Sequence, residues 1–98
     1  MANTTDNEEG VILADEFTAK LYPNPNNGEF VIEFNLNEIP EASLQILDIR
    51  GRLLLTQSII NTGNLIRIDN TNFENGIYFI NINVNSKNLW VSKYIINK

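Results

Sequence analysis

Apolar and polar residues alternate with a period of two over much of the chain that follows Phe17. In Glu29–Leu36, Phe30, Ile32, Phe34 and Leu36 share one side, while Glu29, Glu33 and Asn35 share the other with Val31. That alternation predicts a strand with one buried face. After Gly76 the pattern recurs, with Tyr78, Ile80, Ile82 and Val84 set against Asn81, Asn83 and Asn85. Phe17–Tyr22 predicts a short strand stopped by Pro23 and Pro25, each of which fixes φ and removes a backbone donor. Glu41–Ile49 and Arg52–Ile60 predict a hairpin turned by Asp48-Ile49-Arg50-Gly51, in which Asp48 bonds the backbone ahead of it and Gly51 takes positive φ. Thr62-Gly63-Asn64 then turns the chain into Leu65–Asp69, and Asn85–Asn88 forms a polar turn into Leu89–Ile96.

In this last strand Trp90, Tyr94 and Ile96 compete with Leu89, Val91 and Ile95, which leaves the buried face undecided. A strand apolar on both faces is usually central or covered. No segment has helical periodicity, and the abundant Asn suits turns better than helix interiors. About seven strands at this spacing predict an all-β, Ig-like antiparallel sandwich, with a small closed barrel as the alternative.

The 98 residues fit one domain, and an apolar fraction of 43% with 19% charged is enough to bury a core. No apolar run approaches the roughly 20 residues of a membrane span, and Ala2–Gly10 does not read as a signal peptide. If the natural protein is secreted, this stretch is a fragment whose export signal lies elsewhere. The formal charge of -5 is uneven: Asp6, Glu8, Glu9, Asp15 and Glu16 precede Phe17 with no Lys or Arg among them. The body is formally neutral, and the boundary falls between a linker at 1–16 and a domain at 17–98. The linker's one apolar patch, Val11–Ala14, is a candidate for pairing on the domain edge. A neutral body with scattered cations argues against nucleic acid as a partner, and one Trp is no basis for direct membrane insertion.

With no His and no Cys, the chain holds no Ser-His-Asp or Cys-His system and no ordinary zinc site. Three chemistries survive, each weaker than its plain structural alternative. Glu33 facing Asp48 or Asp69 would make a carboxylate pair, though exposed charges on strand faces are the simpler account. Asp69-Asn70-Thr71-Asn72 with Glu74 and Asn75 would offer calcium oxygens, but lacks the spacing of an EF-hand and reads better as a polar turn. Tyr22, Tyr78, Trp90 or Tyr94 would stack on sugars if exposed, although such residues more often belong to core or rim. The expectation is therefore a non-catalytic domain with no metal and no cofactor.

The segment Pro23-Asn24-Pro25-Asn26-Asn27-Gly28 predicts a rigid corner, itself a handle for recognition. Leu21-Tyr22-Pro23-Asn24-Pro25 followed by Gly28 and Phe30 resembles the opening motif of the C-terminal sorting domains of the type IX secretion system. Leu47–Arg52 is similar to that family's central hairpin, Asn75–Ile80 to its Gly-Ile/Val-Tyr strand, and Lys93–Lys98 to its basic and apolar ending. The four motifs occur in order and cover about 20–98.

The resemblance implies a sorting signal rather than an enzyme. A signal of this kind sits behind an N-terminal cargo domain, crosses the periplasm in transit, and brings the cargo to the cell surface or the extracellular space. Its implied partners are the translocon, a shuttle protein and a sortase-like cysteine protease that cuts upstream. The cleavage site would then lie in or beside the leader, around Glu8, Glu9, Gly10, Asp15 and Glu16. Carried over residue by residue, the recognition set is Pro23, Asn24, Pro25, Gly28, Asp48, Gly51, Gly76, Tyr78, Lys93, Tyr94, Ile95, Ile96 and Lys98. The terminal strand is the favoured contact, because a strand near a free end offers an edge to pair with. Removing Lys93–Lys98 is accordingly expected to impair export more than folding. Asn97 departs mildly from the usual apolar residue, and strand-mediated dimers are a further expectation. The rival reading is an accessory carbohydrate-binding or adhesion module, since one fold hosts many functions.

Overall fold

The computed structural model describes residues 17–35, 42–59, 63–84 and 86–98. The leader, with its candidate cleavage residues and its apolar patch, lies outside them, as do Leu36, Glu41, Ile60, Thr62 and Asn85. Seven strands follow in order: β1 (Ala19–Tyr22), β2 (Glu29–Phe34), β3 (Ala42–Asp48), β4 (Leu53–Ile59), β5 (Leu65–Asp69), β6 (Gly76–Val84) and β7 (Lys87–Ile96). They form two antiparallel sheets, β1-β2-β5 and β4-β3-β6-β7, packed as the expected sandwich. β4 stays beside its hairpin partner β3, so the second sheet has four strands.

Period two places the core where the alternation predicted it. Phe30, Ile32 and Phe34 of β2 meet Tyr78, Ile80, Ile82 and Val84 of β6, all buried. β6 also settles the ambiguity in β7. The ladder pairs Tyr78 with Tyr94 and Gly76 with Ile96, so Tyr94 and Ile96 share the buried face of β6, at 0% and 1% exposure. Val91 is turned outward and 57% exposed.

Two expectations change here. β7 is an edge strand rather than a central one; its outward apolar side belongs to an exposed stripe on which Ile77 pairs with Ile95. It also starts earlier, at Lys87, because Ser86 adopts φ 65° and the ladder already pairs Val84 with Lys87. Positive φ lets a hairpin close tightly and with the correct twist, so Lys87 and Asn88 belong to the strand and not to the turn.

An aromatic column joins the sheets at one end of the sandwich. Phe30 lies 4.6 Å from Tyr94, Tyr94 lies 5.6 Å from Tyr78, and Tyr78 lies 5.4 Å from Phe73, measured between ring centroids. Tyr78 also donates from its hydroxyl to the Glu74 carbonyl at 2.6 Å. A tyrosine near the start of the sixth strand bonded back to upstream backbone is the tyrosine corner of Ig-like sandwiches.

Candidate recognition surface

The end of the sandwich that holds this column also gathers the motif residues scattered from Pro23 to Lys98. Two corners and one strand end meet there. The first corner follows β1, where the peptide bonds before Pro23 and Pro25 are cis. Asn26 is buried at 6% exposure; its Nδ2 donates to the Pro23 carbonyl at 3.0 Å, and its Oδ1 accepts from Gly28 N–H at 2.8 Å. Asn27 Oδ1 accepts from Glu29 N–H at 3.0 Å, which starts β2.

This corner is bonded along the outer edge of β7. Asn26 N–H donates to the Ile95 carbonyl at 2.9 Å, and Asn97 N–H donates to the Asn26 carbonyl at 2.8 Å. Next to them Asn24 imitates a strand with its side chain: Oδ1 accepts from Ile95 N–H at 3.0 Å, and Nδ2 donates to the Lys93 carbonyl at 3.2 Å. The terminal strand edge is thus covered from Lys93 to Asn97, so the free edge expected there for a partner strand is already in use. Deleting Lys93–Lys98 would also remove two fully buried side chains, Tyr94 and Ile96. Such a deletion tests the fold, contrary to the sequence expectation.

The loop before β6 closes the other side. Gly28 is packed so closely that a Cβ there would lie 2.6 Å from the Asn70 carbonyl oxygen, and the Gly28 carbonyl accepts from Asn70 N–H at 2.7 Å. Asn70, 3% exposed, donates from Nδ2 to the Tyr94 hydroxyl at 3.4 Å. Burial pushes the Tyr94 phenol up to about 12. Lys98 docks on the same loop: Nζ donates to the Thr71 carbonyl at 2.7 Å, and its N–H donates to Asn75 Oδ1 at 3.0 Å.

The β3–β4 turn forms as its residues predicted. Gly51, at φ 87°, donates to the Asp48 carbonyl at 2.9 Å. Asp48 Oδ1 accepts from Arg50 N–H and Arg52 N–H, and Oδ2 accepts from Arg52 Nε at 2.7 Å. The backbone N–H of Arg52, with the guanidinium beside it, holds the Asp48 carboxyl below its usual range. Because Asp48 pairs with Tyr78 across the ladder, this turn projects from the same end.

Of the recognition set, Gly28, Tyr78, Tyr94 and Ile96 are buried, Asp48, Gly76 and Ile95 are half-buried, and Pro23, Asn24, Pro25, Gly51, Lys93 and Lys98 are exposed. The exposed part of this end continues over an apolar stripe on the outer face of the larger sheet. Ladder partners there run from Leu53 through Leu47 and Phe79 to Lys93. Ile49 at the turn is 65% exposed and Leu53 54%. Sequence reasoning left Asn26 and Asn70 out of the recognition set, placing Asn26 only in the rigid corner and Asn70 only in the candidate calcium loop; their position inside turn motifs was a signal for backbone bonding, but their burial depends on the facing sheet.

The three alternative chemistries do not assemble. Asp48 is spent on its turn, and Asp69 accepts from Thr71 N–H and Oγ1, bonds that lower its pKa. Glu33 accepts instead from the Tyr22 hydroxyl at 3.0 Å, which raises the pKa of that phenol. The proposed calcium loop carries the Lys98 ammonium on its own carbonyl, and no cluster of three or more acidic side chains suited to a metal occurs among the described residues. Tyr78 and Tyr94 are core residues and Trp90 is half-buried. Tyr22, 43% exposed, borders an open groove of about 540 Å3 with Arg67 over Val31, without a second exposed aromatic ring beside it among the described residues.

Comparison with known proteins places the chain in a family. The family model for a secretion system C-terminal sorting domain matches residues 20–97. An ulvan lyase of Nonlabens ulvanivorans is 33% identical over 78 residues, which is 79% of this chain and 14% of that enzyme. The chain therefore corresponds to a small part of that relative's length.

Proposed function

From the premise that this chain belongs to the C-terminal sorting domains of the type IX secretion system, we propose that its motif end docks on the export machinery to carry an N-terminal cargo to the cell surface or beyond. The sorting role itself belongs to the family, whose domains are signals and not catalysts. The supporting observation is convergence: motif residues from Pro23 to Lys98 meet at one end, held by the Asn24 and Asn26 bonds to β7 and the Lys98 bonds to the Thr71 loop. Because these bonds join the first motif to the last, and the last to Asn75 and Thr71, the domain must fold before that surface exists. Recognition is then of a folded surface, with Lys93, Ile49, Leu53 and Ile77 exposed for contact.

Passage through the periplasm, engagement of a translocon subunit and a shuttle protein, and cutting by a sortase-like cysteine protease near Glu8–Glu16 complete the reading. The cargo would be a larger domain preceding the leader.

The test is an export assay in a host with the type IX system. A fluorescent protein with its own signal peptide is fused to residues 1–98, beside a fusion carrying Lys93→Glu and Ile49→Ser. Both changes are on exposed side chains, so the variant should keep its fold by circular dichroism. Release of the unaltered fusion alone supports the proposal. A folded, unaltered fusion retained in the periplasm overturns it, and equal export of both overturns the assignment of the contact surface.

A further inference from the structure

The four outer strand positions of this sandwich are guarded unequally. An unguarded edge presents free N–H and C=O groups that template pairing with another chain, and natural sheets blunt such edges with charge, proline, bulges or a cover. β1 is a four-residue strand that carries Lys20 and ends at Pro23. β5 displays Arg67 and Asp69. β7 carries Lys87 and Lys93, has a register shift opposite Ile82/Asn83, and is covered by Asn24 and Asn26.

β4 has little of this protection. Leu53–Ile59 contains neither a charged residue nor a proline, and no described strand pairs with its far side. Its one irregularity is confined to the start, where Ile46 and Leu47 pair with Leu55 and Leu53. From Leu55 to Ile59 the register with β3 is regular.

We propose that β4 is a homodimer edge, at which a second copy pairs antiparallel about a two-fold axis through Gln57. The choice of a second copy rests on self-complementarity. In this register Leu55 lies opposite Ile59 of the second copy, and Thr56 lies opposite Ser58. The first pair lies on the core-facing side, since Leu55 and Ile59 are ladder partners of the buried Ile46 and Ala42. The second pair lies on the outer face, where Thr56 and Ser58 are exposed. Apolar pairs and hydroxyl pairs directly opposite each other both stabilise antiparallel ladders.

Charge favours the same occupant. Two uncharged strands meet without repulsion. The isologous contact closes on itself, as a two-fold dimer must. A contact of this size belongs to the weak class below about 1,200 Å2. The proposal stands independently of the sorting role.

Sedimentation velocity from about 10 μM to about 1 mM, a range suited to weak association, is the test. The apparent mass should rise from 11.2 kDa toward twice that value. Thr56→Lys with Ser58→Lys places like charges opposite each other at both symmetric pairs, as does Thr56→Glu with Ser58→Glu. Each double variant should remain folded by circular dichroism and lose self-association by about tenfold or more. Mixing the two should recover a heterodimer, detected with one copy enlarged by a tag. A wild-type protein that stays monomeric throughout, double variants that still dimerise, or a mixture that fails to recover the complex would each overturn the assignment.

Discussion

Gly28→Ala and Gly51→Ala should differ widely in cost, although both replace a motif glycine at positive φ. At Gly28, φ is 109°, and a Cβ would lie 2.6 Å from the Asn70 oxygen, 2.7 Å from Thr71 Cα and 2.8 Å from the Asn70 carbonyl carbon. All three are backbone atoms, so no side chain can swing away, and the Asn70-to-Gly28 hydrogen bond of 2.7 Å ties the two segments together. Backbone strain of about 1–2 kcal/mol and overpacking of about 1–3 kcal/mol add to roughly 2–5 kcal/mol. At Gly51, φ is 87° and nothing lies within 4 Å, so only the strain of about 1–2 kcal/mol remains. The loss of chain entropy in the unfolded state is common to both changes and cancels in the comparison. The difference is the overpacking alone, about 1–3 kcal/mol, so at about 4–8 °C per kcal/mol for a domain of this size, thermal melting should place Gly28→Ala roughly 4–24 °C below Gly51→Ala. Melting points within a few degrees of each other would refute the claim that close approach of the Asn70–Thr71 backbone dictates glycine at position 28. If Gly51→Ala is folded and yet not exported, the β3–β4 turn is part of the contact surface.

Asn24→Ala removes both side-chain bonds to the β7 edge and should cost about 1–2 kcal/mol; hydrogen exchange at Ile95 N–H should accelerate, and unchanged protection would contradict the strand-mimic role. Tyr94 ionises near 12 in the fold because it is buried, against about 10 when unfolded. The unfolded chain therefore loses its proton first, so stability falls as pH rises from about 10 to 12; melting of Tyr94→Phe should fall less over that window, and parallel profiles would sink the argument. Asp48 has the opposite sign: its depressed pKa supplies stability above the ordinary carboxylate range that is lost as pH falls through it. Acid melting of Asp48→Ala should accordingly be flatter than that of the parent.

Much of the scaffold was legible in the chain. Alternation together with the proline and turn residues between segments located all seven strands to within a few residues, and Asp48 with Gly51 specified a turn whose bonds form as expected, because those interactions span only a few positions. The four motif segments were legible too, each on its own. Their meeting was not: Asn24 lies 71 residues before Ile95, and nothing local to either states that one accepts a bond from the other.

What the sequence determined by itself is therefore the set of strands, the turns and the exclusion of His and Cys chemistry, since each depends on residue type and short-range periodicity. The tertiary structure decided the rest. A strand that is apolar on both sides has no preferred face until a neighbour with a clear pattern pairs with it, as β6 does with β7. An edge is open or closed according to what lies beside it, which is why the terminal strand proved covered by a distant corner while no described strand pairs with the far side of β4, unremarkable in sequence. Long-range pairing and burial arise from packing two sheets together, and no local pattern encodes which surfaces that packing leaves exposed.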